Sequence, residues 1–139
     1  MDRVFRAMTR LGIGGSYRSV LSVRGRRSGV VRSTPLGAIV SGEDRWLVAA
    51  YGEVSWVRNV QAAGEASLSR GGRTEAFRGI EASPSEAVPV LREYIQRIRV
   101  ARPYFDAMPD SWDAELEAEL PRHAVFRLVA LTPAEAGAG

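Results

Sequence analysis

Residues Tyr17–Ala50, YRSVLSVRGRRSGVVRSTPLGAIVSGEDRWLVAA, hold the signal that decides the fold. Tyr17–Arg24 is rich in β-formers and runs into the turn-like GRRSG of Gly25–Gly29. A second extended stretch, Val30–Val40, ends at the turn Ser41-Gly42-Glu43-Asp44, and Arg45–Ala50 follows as a third strand. Strand, glycine turn, strand, glycine turn, strand is a β-meander pattern.

Working outward, the segment before it carries Val4, Phe5, Met8 and Leu11 at helical spacing. Asp2–Leu11 therefore reads as a short amphipathic helix, ended by Gly12 and Gly14-Gly15. After the meander a short helix is expected over Val54–Ala63, with Ser55 as cap and Gly64 as stop. Ala66–Arg70 and Arg73–Ser83 flank Gly71-Gly72, a two-residue hairpin signal. Ser83-Pro84-Ser85-Glu86 is a capping box with proline at the first helical position. Val88, Leu91, Ile95 and Ile98 then mark one apolar face, and the helix is expected to reach Val100. Pro103 and Pro109 bracket a loop, Ser111–Leu120 reads as an acidic helix, and His123–Leu131 as a last strand. Six strands, few helices and no alternating βα rhythm predict an α+β chain: a small six-stranded antiparallel barrel with peripheral helices.

At 139 residues, 45% apolar and 25% charged, the chain is expected to form one domain over residues 1–132, with a frayed tail at 133–139. It has no cysteine, which excludes disulfides, thiolate metal sites and cysteine nucleophiles. One histidine, His123, excludes a multi-histidine zinc site, so no metal is expected. No apolar run approaches the roughly 20 residues of a membrane span, and the first 20 residues lack a signal-peptide core. A cytoplasmic protein is expected.

All nineteen basic residues are arginine, a bulk bias of the kind a GC-rich genome produces. Their position says more. Residues 1–32 hold eight arginines against one acid, a net of +7, while residues 33–139 hold eleven against fifteen, a net of −4. The first quarter of the chain should attract anions.

Two clusters could carry chemistry. In Arg24-Gly25-Arg26-Arg27-Ser28-Gly29, followed by Arg32, Thr34 and Pro35, glycines let the backbone turn tightly and expose N–H groups to an anion. Arginine and the Ser28 hydroxyl add hydrogen bonds to phosphate oxygens. A basic, solvated hairpin has the same composition. The stretch has neither the P-loop spacing nor a dinucleotide fingerprint. In Tyr51-Gly52-Glu53-Val54-Ser55-Trp56-Val57-Arg58-Asn59, Trp56 and Asn59 share a helix face and could meet a flat heteroatom-bearing ring. The same spacing serves a core tryptophan beside a satisfied asparagine.

The runs LSVRGRRSGVVRSTPL (Leu21–Leu36), LVAAYG (Leu47–Gly52) and WVRNV (Trp56–Val60) together resemble the deazaflavin-dependent nitroreductase family. Its pattern is close to L-x-T-x-G-R-[KR]-[ST]-G-x-x-R-x-x-P-L, then V-A-S-x-G and W-x-x-N-L. The order and spacing agree over about 40 residues. The resemblance implies a split β-barrel that binds coenzyme F420, a hydride-carrying deazaflavin with a phosphate and an oligoglutamate tail. It further implies that Gly25, Arg26, Arg27, Ser28, Gly29 and Arg32 hold the anionic tail. Thr34 and Pro35 would lie along the coenzyme, and Ala50, Tyr51, Gly52, Trp56 and Asn59 would line its ring. Arg27 stands where lysine is commoner, Tyr51 where several members have lysine, and the Gly52–Trp56 interval is short.

The implied activity is hydride transfer from reduced F420 to an electron-poor small molecule: a nitroaromatic, a quinone or an activated double bond. A flavin mononucleotide protein on the same barrel, a coenzyme carrier without turnover and an RNA-binding hairpin are the alternatives. The last is disfavoured, because the basic patch lacks interleaved exposed aromatics. Tyr104 and Phe105 are candidates to cap a substrate pocket or to pack a loop. His123 is a proton donor or an ordinary strand residue, and no catalytic residue is assigned. Glu115, Glu117 and Glu119 read as a solvated helix face. The chain is expected to be a monomer or homodimer with no nucleic-acid partner.

Overall fold

The computed structural model describes residues 16–41, 44–52 and 54–132. The expected helix at Asp2–Leu11 and the tail at 133–139 lie outside them. Six strands form a closed antiparallel barrel: β1 (Ser16–Arg24), β2 (Val31–Ser41), β3 (Asp44–Val48), β4 (Glu65–Arg70), β5 (Arg73–Glu81) and β6 (Val125–Ala130), in the order β1-β2-β3-β6-β5-β4. Between β3 and β4 runs helix α1 (Val54–Ala63); between β5 and β6 run α2 (Pro84–Arg97), a 3-10 helix (Arg99–Tyr104) and α3 (Asp113–Glu117).

Period-two alternation divides the apolar residues into two cores. Leu21, Val23, Ala38, Leu47, Leu68, Phe77, Phe126 and Leu128 point into the barrel, where Trp56 and Val60 of α1 join them. The intervening positions, Ile39, Trp46, Val48 and Val125, face outward beneath Val88, Leu91 and Ile95 of α2. Because α2 covers that wall, the outward residues of β3 are as buried as the inward ones. Helix α1 packs against β1, β4 and β5. A Cβ at Gly79 on β5 would come within 2.8 Å of Val60 Cγ1, so glycine there permits the close approach.

Strand β2 is the longest and is unevenly paired. It meets β1 along Val31–Ile39 but β3 only from Ala38 to Ser41. Residues 31–37 thus leave one edge open, which is where Pro35, lacking an N–H, is tolerated. A second gap lies between β1 and β4, which pair only at Val20–Ser22, so the split barrel has two openings in its wall.

Several element ends differ from expectation. Strand β3 stops at Val48, β5 at Glu81, and β6 starts at Val125 rather than His123. Ser55 is not a cap, since α1 already includes Val54. The capping box at Ser83 is present in full, with Glu86 N–H donating to Ser83 Oγ at 3.3 Å and Ser83 N–H to Glu86 Oε1 at 3.1 Å. Helix α2 ends at Arg97, and the proline-bounded loop winds into a 3-10 turn that includes Pro103. The acidic helix shrinks to Asp113–Glu117. Its solvated face holds for Glu115 and Glu117 but not for Glu119, which is 1% exposed. Beyond the helix end the chain turns Glu119 inward, where Oε2 accepts from the Asp106 and Ala107 N–H groups at 2.6 and 2.7 Å.

Candidate functional site

The GRRSG turn joins β1 to β2. Gly25 N–H donates to Val30 O at 2.8 Å and Gly29 N–H to Gly25 O at 2.9 Å, while Ser28 Oγ accepts from Val30 N–H. Gly29 has φ +73°, and a Cβ on Gly25 would sit 3.0 Å from both Ser28 Oγ and Val30 O. Both glycines are therefore required by the geometry of the turn. The N–H groups of Arg27 and Ser28 make no hydrogen bond among the described residues. Arg24, Arg27 and Arg32 are exposed and pair with no acid among the described residues. Two open N–H donors beside guanidinium groups that pair with no acid among the described residues could receive an anion.

Helix α1 fixes this turn. Asn59, 6% exposed, accepts at Oδ1 from Arg26 N–H at 3.1 Å and from Arg26 Nη1 at 2.8 Å. The same guanidinium donates to Ser55 O at 3.4 Å. Arg26 is thereby committed to the scaffold, leaving Arg27 as the unengaged arginine at the tip.

The expected common face of Trp56 and Asn59 is split between two tasks. Trp56 is 4% exposed and packs inside the barrel against Phe126, with ring centroids 6.0 Å apart. Its indole thus stands in the core and Asn59 stands under the turn, so neither side chain lines an open ring-binding surface. The physical reason is that α1 lies across the barrel interior, where an apolar indole is buried and the amide reaches the turn.

A cleft of about 420 Å³ opens on the outer wall, beside the unpaired stretch of β2. Arg18 and Ser19 of β1 and Pro35–Ala38 of β2 form its floor, with Tyr94, Ile98 and Val100 from the end of α2 and the 3-10 helix above. Tyr51, from the connector between β3 and α1, closes one side. Thr34 lies half-buried one residue before this floor, Ala50 is buried beneath Tyr51, and Gly52 turns the chain at φ +71°. Tyr51 and Tyr104 are 46% and 54% exposed and meet edge-on, with centroids 4.7 Å apart. Phe105 is buried, stacking on His123 at 4.1 Å. From Val31, where β2 leaves the turn, to Gly37 in the cleft floor the strand advances six residues, roughly 20 Å at about 3.3 Å each. The structure thus gathers Pro35, Tyr51 and, at its rim, Tyr104 at one place and the arginine turn at another, joined by β2.

Sequence reasoning missed the cleft's upper wall. The signal was available only in part: Tyr94 and Ile98 lie one helical turn apart, but the exposed Val100 belongs to a 3-10 turn that periodicity does not show. His123 is 4% exposed with both ring nitrogens on backbone carbonyls, so it reaches no open surface. No described helix is long and apolar enough to cross a membrane, and no group of three or more acidic or histidine residues among the described ones could hold a metal.

Comparison with known proteins bears on what this arrangement is for. The crystal structure of Atu2129, a protein of unknown function from Agrobacterium tumefaciens, is similar at 19% identity with a TM-score of 0.60. The match covers 86% of this chain and 54% of that one, so this chain spans about half that structure's length. A putative 5-nitroimidazole antibiotic resistance protein from Bacteroides thetaiotaomicron matches at 7% identity and a TM-score of 0.56, over 95% of this chain and 81% of that one. A structure described as a domain-swapped dimer matches at 17% identity and a TM-score of 0.55, over 80% and 78%. At these identities the likeness concerns the fold. No curated protein matches in sequence. The family model for F420H(2)-dependent quinone reductases matches residues 3–115, which include the whole arginine turn, β2 and α1. By that match the chain belongs to the F420H(2)-dependent quinone reductase family, oxidoreductases that depend on coenzyme F420.

Proposed function

We propose that this chain is an F420-dependent oxidoreductase that reduces an electron-poor small molecule by hydride transfer. A quinone, a nitroaromatic or an activated double bond has the required chemistry. The observation that carries the reading is the pairing of an arginine turn with open N–H donors and a part-apolar cleft, roughly 20 Å apart along one strand at about 3.3 Å per residue. A long coenzyme with a charged tail and a flat ring fits that spacing. The open N–H groups of Arg27 and Ser28, with Arg32 nearby, suit phosphate and carboxylate oxygens.

When bound, reduced F420 supplies a two-electron hydride carrier, and that chemistry belongs to the cofactor. The chain's own residues bind and orient. Arg27 and Arg32 hold the tail, Asn59 keeps the turn in shape through Arg26, and Pro35–Ala38 form a flat floor. Tyr51, Ile98 and Val100 shield the cleft from water, which strengthens polar contacts inside it. No catalytic side chain is assigned. Residues 1–132 act as one coenzyme-binding domain, in the cytoplasm, as a monomer or homodimer.

The decisive experiment is fluorescence titration of the purified protein with F420 and with FMN, followed by F420H2 oxidation with menadione and a nitroaromatic panel. Saturable binding of F420 in preference to FMN, with turnover, is the expected result. Binding without oxidation of any acceptor makes the protein a carrier, and no binding of F420 overturns the reading.

A further inference from the structure

The one histidine in the chain is buried where neither the turn nor the cleft uses it. Its Nδ1 lies 2.8 Å from Ala49 O and its Nε2 lies 2.9 Å from Tyr104 O. Carbonyl oxygens only accept, whereas a neutral imidazole carries one N–H and one lone pair. Both contacts are hydrogen bonds only when both ring nitrogens carry protons. Phe105 stacks on the ring at 29°.

We propose that His123 is a positioning residue: the doubly protonated ring ties the carbonyl of Ala49 to that of Tyr104 and so sets Tyr51, on the cleft wall, against Tyr104 beside it. The first carbonyl lies two residues before Tyr51, and the second is Tyr104's own. The inference rests on the proposed function, with the coenzyme ring on the Pro35–Ala38 floor of that cleft and the acceptor entering beside Tyr51.

Three charged groups stand near the ring. Glu119, from the turn after α3, places Oε1 4.0 Å from Nε2. Arg122 pairs with that oxygen at 2.8 Å and with Asp106 at 2.7 Å. The hydrogen bond to Asp106 is the first cause that raises Arg122 above its ordinary value, so it stays charged throughout. Tyr94 of α2 stands behind Phe105, with centroids 6.1 Å apart. Losing either ring proton turns a lone pair toward a carbonyl and releases one of the two segments.

Because His123 is the one histidine, imidazole nitrogen NMR of the untagged protein reports its state without ambiguity. Both nitrogens should appear as N–H groups at the acid end of the titration. The ring signals of Tyr51 and Tyr104, assigned through Tyr51→Phe and Tyr104→Phe, should shift with the same midpoint. In the F420-loaded enzyme the acceptor KM should rise about tenfold past that midpoint, a change of about 1.4 kcal/mol. The Kd for F420 should not follow. His123→Phe keeps the stacking and removes both donors; the folded variant should show a high, pH-independent KM. A nitrogen that never carries a proton, or tyrosine signals that ignore the titration, overturns the proposal even if that variant fails to fold. Failure to bind F420 faults the proposed function instead, and the ring and tyrosine signals still decide the clasp.

Discussion

Asn59 Oδ1 accepts two hydrogen bonds from Arg26, one from its backbone N–H at 3.1 Å and one from its guanidinium at 2.8 Å. A carboxamide on the helix beside the barrel interior therefore holds the arginine turn by both its backbone and its side chain. One of the two bonds is charge-assisted, the stronger kind.

Asn59→Ala should consequently act on coenzyme affinity more than on rate. Loss of the charged bond is worth about 1.5–3 kcal/mol locally, so the Kd for F420 should rise about tenfold or more. At saturating coenzyme the turnover rate should stay near wild type. A variant with unchanged Kd and a reduced saturated rate would return Asn59 to the ring.

The two arginines at the tip should separate in the same assays. Arg27→Ala should weaken F420 binding by about 1.5–3 kcal/mol and flatten its salt dependence, without changing thermal stability. Arg26→Ala should weaken binding too, and should also lower stability by about 1 kcal/mol through loss of the charge-assisted bond to Asn59, whose Oδ1 keeps only the backbone N–H. Equal stability losses in both variants would contradict the division of labour.

The strands and the arginine turn were legible because both are local facts. Alternation along Tyr17–Ala50 marks faces, and Gly25 and Gly29 mark where the backbone must turn tightly. What was not legible depends on partners distant in sequence. Trp56 and Asn59 share a helical face, yet the barrel interior takes one and the turn, 33 residues away, takes the other. Glu119 continues an alternating acidic run that looks solvated. It is buried because α3 ends at Glu117 and two backbone N–H groups, 13 and 12 residues away, meet its carboxylate. His123 finds its carbonyls 74 and 19 residues away, which no local pattern encodes.

Trp56 offers a test of its core placement. Its Nε1 is buried with no hydrogen-bond partner, so the N–H contributes nothing to offset its desolvation. Trp56→Phe should keep most of the apolar contact and change stability by less than about 1.5 kcal/mol. Trp56→Ala should cost about 3–5 kcal/mol by leaving a cavity against Phe126. If Trp56→Phe instead abolished F420 binding in a folded protein, the indole would belong to the site.

The capping box gives a pH-dependent prediction away from the cleft. Ser83→Ala should lower stability by about 1 kcal/mol and leave F420 affinity alone. Hydrogen bonds from the Ser83 backbone N–H, then from its hydroxyl, hold Glu86 below its ordinary value of 4.5. A depressed carboxylate stabilises the fold above its unfolded pKa, and that contribution fades as pH falls through the folded one. The gap in stability between wild type and Glu86→Gln should therefore close below about pH 4.5 in chemical denaturation. A gap that widened with acid would reverse the sign.

Glu119 is the buried carboxylate that joins the 3-10 segment to the start of β6. Its Oε2 accepts from two backbone N–H groups and its Oε1 from Arg122 at 2.8 Å. Removing it strands two donors, of which the Ala107 N–H is buried, beside an exposed guanidinium that water can solvate. Glu119→Ala should thus cost about 2–4 kcal/mol, chiefly through the unsatisfied amides rather than the ion pair. Glu119→Gln keeps one carbonyl oxygen for both amides and should cost about half as much. Because Asp106 and Ala107 follow Tyr104 and Phe105 directly, the alanine variant should also loosen the Tyr51–Tyr104 contact. The acceptor KM should then rise while the Kd for F420, set at the distant turn, stays constant. Equal costs for Gln and Ala in urea denaturation would assign the stability to the ion pair and not to the amides.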